Sequence, residues 1–304
     1  MPTVGSPLDL IGHTPLLEIK KFSPGVNFFA KLESSNPLGS IKDRTAWSLI
    51  RDAENEGKLK PSAAGQKIVE ATSGNTGIGL AWLARLRGYQ LILTMPETMS
   101  QERRKILRFL GAKIILTAGE EGMAGALREA KEIARRESAF HPDQFCNPSN
   151  PRVHFETTGP EIWQQMKGEV DIFTCGVGTG GTLTGVGKFL KSQNSRVKII
   201  ALEPENSAVI SGRKAGKHKI QGIGAGFIPD ILERDLIDEI VKINDQEAIK
   251  ASKKLALTEG LLLGISSGAA SLAATEIAQK NPGKKIVTIF PDTGERYLSM
   301  EGFE

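Results

Sequence analysis

The sequence is poor in several features that would each mark a class of protein. Its 304 residues include two cysteines, Cys146 and Cys175, which offer neither a disulfide framework nor a CxxC metal pattern. Each reads as a small buried hydrophobe beside a loop, and no metal site is expected. No apolar run approaches the ~18 residues of a membrane span. The first residues, Met1-Pro2-Thr3-Val4-Gly5-Ser6, carry neither a basic stretch nor an apolar one, so a secretory leader is not expected. Charge of one sign is also scarce: 39 Lys and Arg against 35 Asp and Glu leave a formal +4 spread along the chain. Its basic pieces are as short as Arg213-Lys214 and Lys217-His218-Lys219, so nucleic acid is not a suggested partner. Low-complexity segments and short-period repeats are lacking. What remains is a cytoplasmic globular composition, 39% hydrophobic and 24% charged, long enough for one large or two medium cores.

Apolar periodicity then gives an α/β alternation. Val26–Leu32, Ile68–Ala71, Leu91–Thr94, Lys113–Leu116, Val170–Cys175, Val197–Leu202 and Lys285–Phe290 read as strands. Helices are predicted from Lys42 to about Glu56, and over Ile78–Arg87, Gln101–Leu110, Met123–Arg136 and Gly159–Met166. Others follow the glycine loop to Lys191 and span Gln246–Glu259 and Gly268–Gln279. Short apolar strands separated by helices imply mostly parallel, twisted sheets with helices on their faces. The Pro-, Asn- and Ser-rich stretch Phe140–Arg152 marks a crossing between two lobes. Ligands in such folds sit beyond the carboxyl ends of the strands.

Five stretches carry chemistry. Asn36-Pro37-Leu38-Gly39-Ser40-Ile41-Lys42-Asp43-Arg44 puts Lys42 in the first turn of a helix, where the helix dipole disfavours an ammonium. That placement suits an amine that forms a Schiff base, although a solvated lysine paired with Asp43 has the same sequence. Thr72-Ser73-Gly74-Asn75-Thr76-Gly77 gathers hydroxyls, an amide and glycines at a helix start, a cradle for a carboxylate or a phosphate, or a well-capped helix. Gly176-Val177-Gly178-Thr179-Gly180-Gly181-Thr182 is a phosphate loop that also satisfies GxGxxG. Glu203 ends the next strand, where a dinucleotide site needs its ribose-binding acid, so an oxidoreductase stays open on this loop alone. Thr179 and Thr182 favour a terminal monophosphate. Gly264-Ile265-Ser266-Ser267-Gly268 meets a helix start, with the serines either ligands or caps. Lys219–Pro229 alternates Gly with apolar residues, as a mobile loop near a ligand or a plain surface connection does.

Lysine, carboxylate cradle, monophosphate loop and serine together suit pyridoxal phosphate. In order along the chain, Asn36–Arg44, Thr72–Gly77, Gly178–Thr182, Lys219–Pro229, Gly264–Gly268 and Asp292-Thr293-Gly294-Glu295-Arg296-Tyr297 resemble the cysteine synthase (O-acetylserine sulfhydrylase) family, in its sulfide-using A-type form. The resemblance implies a two-lobed α/β architecture, fold type II of the pyridoxal-phosphate enzymes, usually a homodimer with the active site between the lobes. It implies a smaller, mobile lobe over 44–148 and a larger cofactor-binding lobe of 1–43 with 149–304. Lys42 becomes the Schiff-base lysine. Asn75 is implied to bond the ring hydroxyl, Gly178, Thr179, Gly180, Gly181 and Thr182 the phosphate, and Ser266 the pyridine nitrogen. Thr72, Ser73, Thr76 and Gln144 are implied to bind the substrate carboxylate.

The implied reaction is β-replacement: O-acetyl-L-serine and sulfide give L-cysteine and acetate through an α-aminoacrylate. A neutral serine at the pyridine nitrogen makes the ring a weaker electron sink and steers it toward elimination. Relatives of the same fold are the alternatives, a cystathionine β-synthase, a serine or threonine dehydratase, or an O-phosphoserine-type sulfhydrylase. The chain stops at Glu304, soon after a Gly294–Tyr297 strand end, so no C-terminal regulatory domain or haem-binding extension is expected. A dinucleotide oxidoreductase would leave Lys42 without a role. The C-terminal tail of serine acetyltransferase is the partner the resemblance implies. Ser211–His218 departs from the family in being shorter and more basic.

Overall fold

The computed structural model describes residues 3–61, 65–72, 74–99, 101–300 and 302–303. Two compact units divide the chain, one of Met1–Ile41 with Pro151–Glu304, the other Lys42–Asn150. The first stretch supplies β1 (Leu16–Ile19) and β2 (Phe28–Leu32). Next come α1 (Lys42–Asn55), β3 (Lys67–Ala71), α2 (Asn75–Arg87), β4 (Gln90–Pro96), α3 (Gln101–Phe109), β5 (Lys113–Thr117) and α4 (Gly122–Glu137). α5 (Ser149–Val153) runs into a π-turn (His154–Thr158) and α6 (Gly159–Gln165). The remainder is β6 (Ile172–Gly176), α7 (Gly181–Gln193), β7 (Lys198–Pro204), β8 (Glu239–Ile243), α8 (Asp245–Glu259), α9 (Ile265–Lys280) and β9 (Ile286–Phe290). Among the described residues, no helix is long and apolar enough to cross a membrane.

In the larger unit six strands line up as β1-β2-β9-β6-β7-β8. Only β1 is antiparallel, pairing β2 with Leu17 opposite Ala30; the other neighbours are parallel. β7 and β9 are apolar along almost their whole length because helices cover both faces of the sheet. Successive side chains point to opposite faces. Ile172, Ile200, Ile286 and Phe290 join Ala248, Leu255, Ala269 and Ile277 of α8 and α9 in one core. Phe173, Ile199, Val287 and Ile289 join Ile162, Leu183 and Leu190 of α6 and α7 in the other. Cys175 is buried in this second core, as expected, whereas Cys146 is exposed, because it follows a turn at the protein surface instead of a strand.

The smaller unit carries the parallel sheet β3-β4-β5. Val69, Ala71 and Ile92 pack on Ala126, Ala130 and Ile133 of α4. α2 lies against the first turn of α1 at Gly79, where a Cβ would stand 2.9 Å from the Ala46 methyl and 3.2 Å from the Lys42 carbonyl oxygen.

Several elements differ from the sequence expectations. α2 begins at Asn75, three residues before Ile78, and α9 at Ile265, so Asn75, Thr76 and Ser266 are helical residues. Gly, Ser and Thr are weak helix formers, and packing overrides that weakness. Residues 149–158 form helical turns that begin inside the Phe140–Arg152 stretch expected to be loop. β8 escaped the sequence reading because Glu239 and Lys242 interrupt its apolar pattern at a sheet edge. Glu295–Tyr297 is a 3-10 turn, not a strand end.

Candidate active site

At the carboxyl end of β3 the chain turns through Thr72 and Gly74 into α2. Thr72 Oγ1 accepts the Gly74 N–H at 3.2 Å, and Thr76 Oγ1 donates to Gln144 Oε1 at 2.6 Å. With its oxygen so engaged, the Gln144 amide keeps its NH2 as a donor, and its side chain also bonds the Glu70 carboxylate. Thr72, Thr76 and Gln144 are buried, Asn75 opens the helix, and Ser73 lies outside the described residues. The structure therefore brings together the four described residues of this cradle from two distant stretches of sequence.

Gln144 is delivered by a segment anchored on β3. Phe140 exchanges backbone bonds with it, Val69 N–H to Phe140 O at 2.9 Å and Phe140 N–H to Lys67 O at 2.8 Å. Three residues further on, Asp143 takes a left-handed conformation at φ 50°. The Asp143 and Gln144 N–H groups then donate to Glu70 Oε2 and Oε1 at 2.9 and 3.3 Å. Glu70 is fully buried on β3, and desolvation pushes its pKa up to about 8 against the lowering effect of those two bonds. His141 Nε2 stands 3.7 Å from Glu70 Oε2, and burial holds its own pKa down. Neither Glu70 nor His141 stands out in the sequence. Only an acid in the middle of an apolar strand hints at the first.

Lys42 is the first residue of α1, as its sequence implies. Ile41, just before it, donates its N–H to Pro291 O at 2.9 Å, which fixes where the helix starts.

In the larger unit β6 ends at Gly176, and Gly178, Thr179, Gly180, Gly181 and Thr182 lead into α7. The N–H groups of that helix end, the Thr179 and Thr182 hydroxyls and the dipole all favour an anion, and Thr179 Oγ1 accepts the Gly181 N–H at 3.4 Å. Thr182 Oγ1 lies 3.3 Å from Nε2 of buried His154, whose Nδ1 meets Thr158 at 2.9 Å; this π-turn neighbour was not visible in the sequence. A Cβ at Gly178 would fall 2.3 Å from the Gly222 carbonyl oxygen. Gly180 holds φ 85°, and a Cβ there would stand 2.8 Å from the Leu232 Cβ.

The Lys219–Pro229 stretch, where the sequence left mobile loop and plain connection open, is tied down over its first half. Lys219 N–H donates to Asp245 Oδ2 at 2.8 Å, Gly224 N–H to Val177 O at 2.9 Å, and His218 Nε2 meets Gly224 O at 2.9 Å. Ile220 and Ile223 are buried beneath it. Glu203 is spent inside the fold: its carboxylate accepts Ile210 N–H at 2.9 Å, Ser211 N–H at 3.1 Å and the Ser211 hydroxyl at 2.5 Å. The acid that a dinucleotide ribose needs is thus occupied.

Ser266 is buried in the first turn of α9. Its neighbour Gly264 donates its N–H to Asp292 O at 3.2 Å, and Asp292 in turn accepts from the Tyr297 hydroxyl. The Asp292–Tyr297 motif therefore braces this helix start.

Residues 7–292 match the family of pyridoxal-phosphate dependent enzymes. The sequence is 50% identical over 294 residues to a cysteine synthase of Staphylococcus aureus, covering 95% of this chain and 94% of that one. This chain belongs to the cysteine synthase family of pyridoxal-phosphate dependent enzymes. The crystal structure of a cysteine synthase from Entamoeba histolytica is 43% identical with a TM-score of 0.94, over 99% of this chain and 91% of that one. An O-acetylserine dependent cystathionine β-synthase from Helicobacter pylori is 39% identical with a TM-score of 0.94 over the whole of both chains. The α/β fold is that of the family, and pyridoxal 5'-phosphate is its cofactor. The donor set fits that group, since the Thr179 and Thr182 hydroxyls stand at the N-terminus of α7, and Gly178 and Gly180 let this loop lie close against Gly222 and Leu232.

Proposed function

We propose that this chain is a cytoplasmic cysteine synthase that converts O-acetyl-L-serine and sulfide to L-cysteine and acetate. The observation that carries the reading is the cradle at the head of α7, where only glycine fits against Gly222 and Leu232 and a terminal phosphate finds short donors. Pyridoxal phosphate, when bound, supplies an aldehyde that condenses with amines and a ring that delocalises the electron pair left on the substrate Cα. Gly178, Thr179, Gly180, Gly181 and Thr182 hold its phosphate, with His154 steadying Thr182. Asn75 bonds the ring hydroxyl. Ser266 offers the ring nitrogen a neutral hydroxyl, which does not hold a proton there as a carboxylate would.

Thr72, Ser73 and Gln144 bind the substrate carboxylate, and Thr76 orients Gln144 so that its NH2 donates. Lys42 first holds the cofactor. Once displaced by the substrate amine, it takes the Cα proton as acetate leaves Cβ, and returns that proton to Cα after sulfide has bonded to Cβ. Its place in the first turn of α1 favours the neutral amine that the step needs. The Lys42–Asn150 unit is read as the lobe that moves on substrate binding, and the larger unit as the one that holds the phosphate. The working form is read as a homodimer. The carboxylate cradle also suits the C-terminal carboxylate of a docked serine acetyltransferase tail.

The test is a visible spectrum of the yellow holoenzyme, first with O-acetyl-L-serine and then with sulfide, with product analysis and initial-velocity patterns. A spectral change on the first addition, its reversal on the second, release of L-cysteine and ping-pong kinetics are expected. A yellow protein unmoved by O-acetylserine but answering O-phosphoserine, or serine with homocysteine, would replace the substrate. Failure to take up pyridoxal phosphate would overturn the cofactor roles. A second reading, the same first half-reaction with homocysteine as acceptor, is favoured by the full-length match to the Helicobacter pylori enzyme. A parallel assay with homocysteine decides between them.

A further inference from the structure

Glu70 has no part in the roles above, yet it is a carboxyl group with no solvent exposure on β3, an outer strand of the three-stranded sheet. Burial of such a group is expensive unless its oxygens are bonded. Both are, and both bonds come from consecutive N–H groups of one short segment, Asp143 at 2.9 Å and Gln144 at 3.3 Å. The same segment is gripped from the other side by Asn150, whose Nδ2 donates to Gln144 O at 2.8 Å. Asp143 holds a left-handed φ of 50°, a conformation that a non-glycine residue keeps only when its surroundings enforce it.

We infer that Glu70 is a positioning residue, which clamps the Asp143–Gln144 turn so that the Gln144 side chain meets Thr76 at the proposed carboxylate site. This role rests on Gln144 being a carboxylate ligand, as proposed above. Glu70 has no exposed surface, whereas Gln144 and Thr76 keep 4 and 3% exposure, so it acts through Gln144 and does not touch substrate. The groups around it are consistent with a clamp that carries no fixed charge. His141 faces Oε2 at 3.7 Å, Asp143 adds a second acid beside it, and Lys131 of α4 bears on His141. Burial favours the neutral acid at Glu70, which spares the incoming carboxylate a buried anion behind its site.

The test compares Glu70→Gln, Glu70→Ala and Gln144→Ala in the holoenzyme. Glu70→Gln keeps the side-chain volume but offers one acceptor oxygen for two N–H groups, so it is the variant expected to fold. For both Glu70 variants we expect KM for O-acetyl-L-serine to rise by about tenfold or more, the loss typical of a bond to a buried acceptor. kcat should stay within a few-fold. Hydrogen exchange should quicken at the Asp143 and Gln144 amides while the amides of β4 keep their protection. Gln144→Ala should raise KM equally, and Glu70→Gln added to it should raise KM no further. If Gln144→Ala raises KM but Glu70→Gln changes neither KM nor those two amides, the positioning role is refuted and the carboxylate site stands. If exchange quickens throughout the unit with KM unmoved, Glu70 is merely structural. If Gln144→Ala leaves KM unchanged, the carboxylate assignment itself fails and takes the role of Glu70 with it.

Discussion

Gly178→Ala probes the proposed phosphate cradle with a single methyl. The new Cβ would lie 2.3 Å from the Gly222 carbonyl oxygen, whereas carbon and carbonyl oxygen settle at about 3.3 Å or more. Roughly 1 Å must therefore open between the two loops. The obstacle is backbone, so no side chain can swing aside. The next contact along, Gly224 N–H to Val177 O at 2.9 Å, resists the shift. Overpacking of this kind costs about 1–3 kcal/mol. If the strain is relieved by parting the loops that must close on the phosphate, it is felt as about 5- to 150-fold weaker cofactor binding. Titration of pyridoxal phosphate into the apo-variant, followed by the colour of the bound cofactor, measures this directly. Gly283→Ala serves as control. Unlike Gly178 it has a left-handed backbone (φ 78°), but nothing lies within 4 Å of its Cβ, so it should lower Tm a little and leave cofactor affinity alone. Equal cofactor affinity in Gly178→Ala and wild type would refute the cradle.

Other outcomes follow from the same structure. Lys42→Ala should abolish turnover while the protein stays folded by circular dichroism; activity within about tenfold of wild type contradicts a role for its amine in proton transfer. Lys31 is fully buried, its Nζ donating to Thr14 O at 2.5 Å and Gln165 Oε1 at 2.8 Å and pairing with Glu161 Oε2 at 2.7 Å. Lys31→Met removes one partner of a buried pair and should lower unfolding stability by about 3–5 kcal/mol in a urea titration. A loss below about 1 kcal/mol would mean that the pair is not net stabilising. Glu70 has its folded pKa raised from 4.5 to about 8, so the folded state binds its proton more tightly than the unfolded state does. Its contribution is full below pH 4.5 and is lost as pH rises to about 8. Glu70→Gln should therefore gain stability relative to wild type across that window, by up to about 1.4 kcal/mol per pH unit, and a pH-independent difference in denaturation midpoint would contradict it.

Much of the site was legible because its chemistry is local. Gly178–Thr182, Thr72–Gly77 and Lys42 each lie where a strand or turn meets a helix, and glycine with small hydroxyl residues in a row marks such a place without any neighbour. Gln144 was named only through resemblance, since nothing in Asp143-Gln144-Phe145 by itself announces a ligand. Glu70, His154 and Asp292 were not legible as partners. They act over separations of 28 to 74 residues or through a hydroxyl buried at a helix start, as in Thr182–His154 and Glu70–Gln144. Helix starts were placed late at α2 and α9 for a related reason. The residues that make a good anion cradle are poor helix formers, and the sheet behind them decides that the helix begins there.

By itself the sequence determined the α/β class, the alternation of elements and the cradle stretches, because periodicity and turn chemistry act within a few residues. It also determined that Lys42 opens a helix, since Asn36-Pro37-Leu38-Gly39 stops the chain just before it. The tertiary structure alone decided what each buried acid holds. Glu203 and Glu70 look alike as acids in apolar strands. One turns inward onto the Ile210–Ser211 backbone and the other onto Asp143 and Gln144. A buried carboxyl must find its donors wherever the fold brings backbone N–H groups close, and that closeness is a property of strand order and packing.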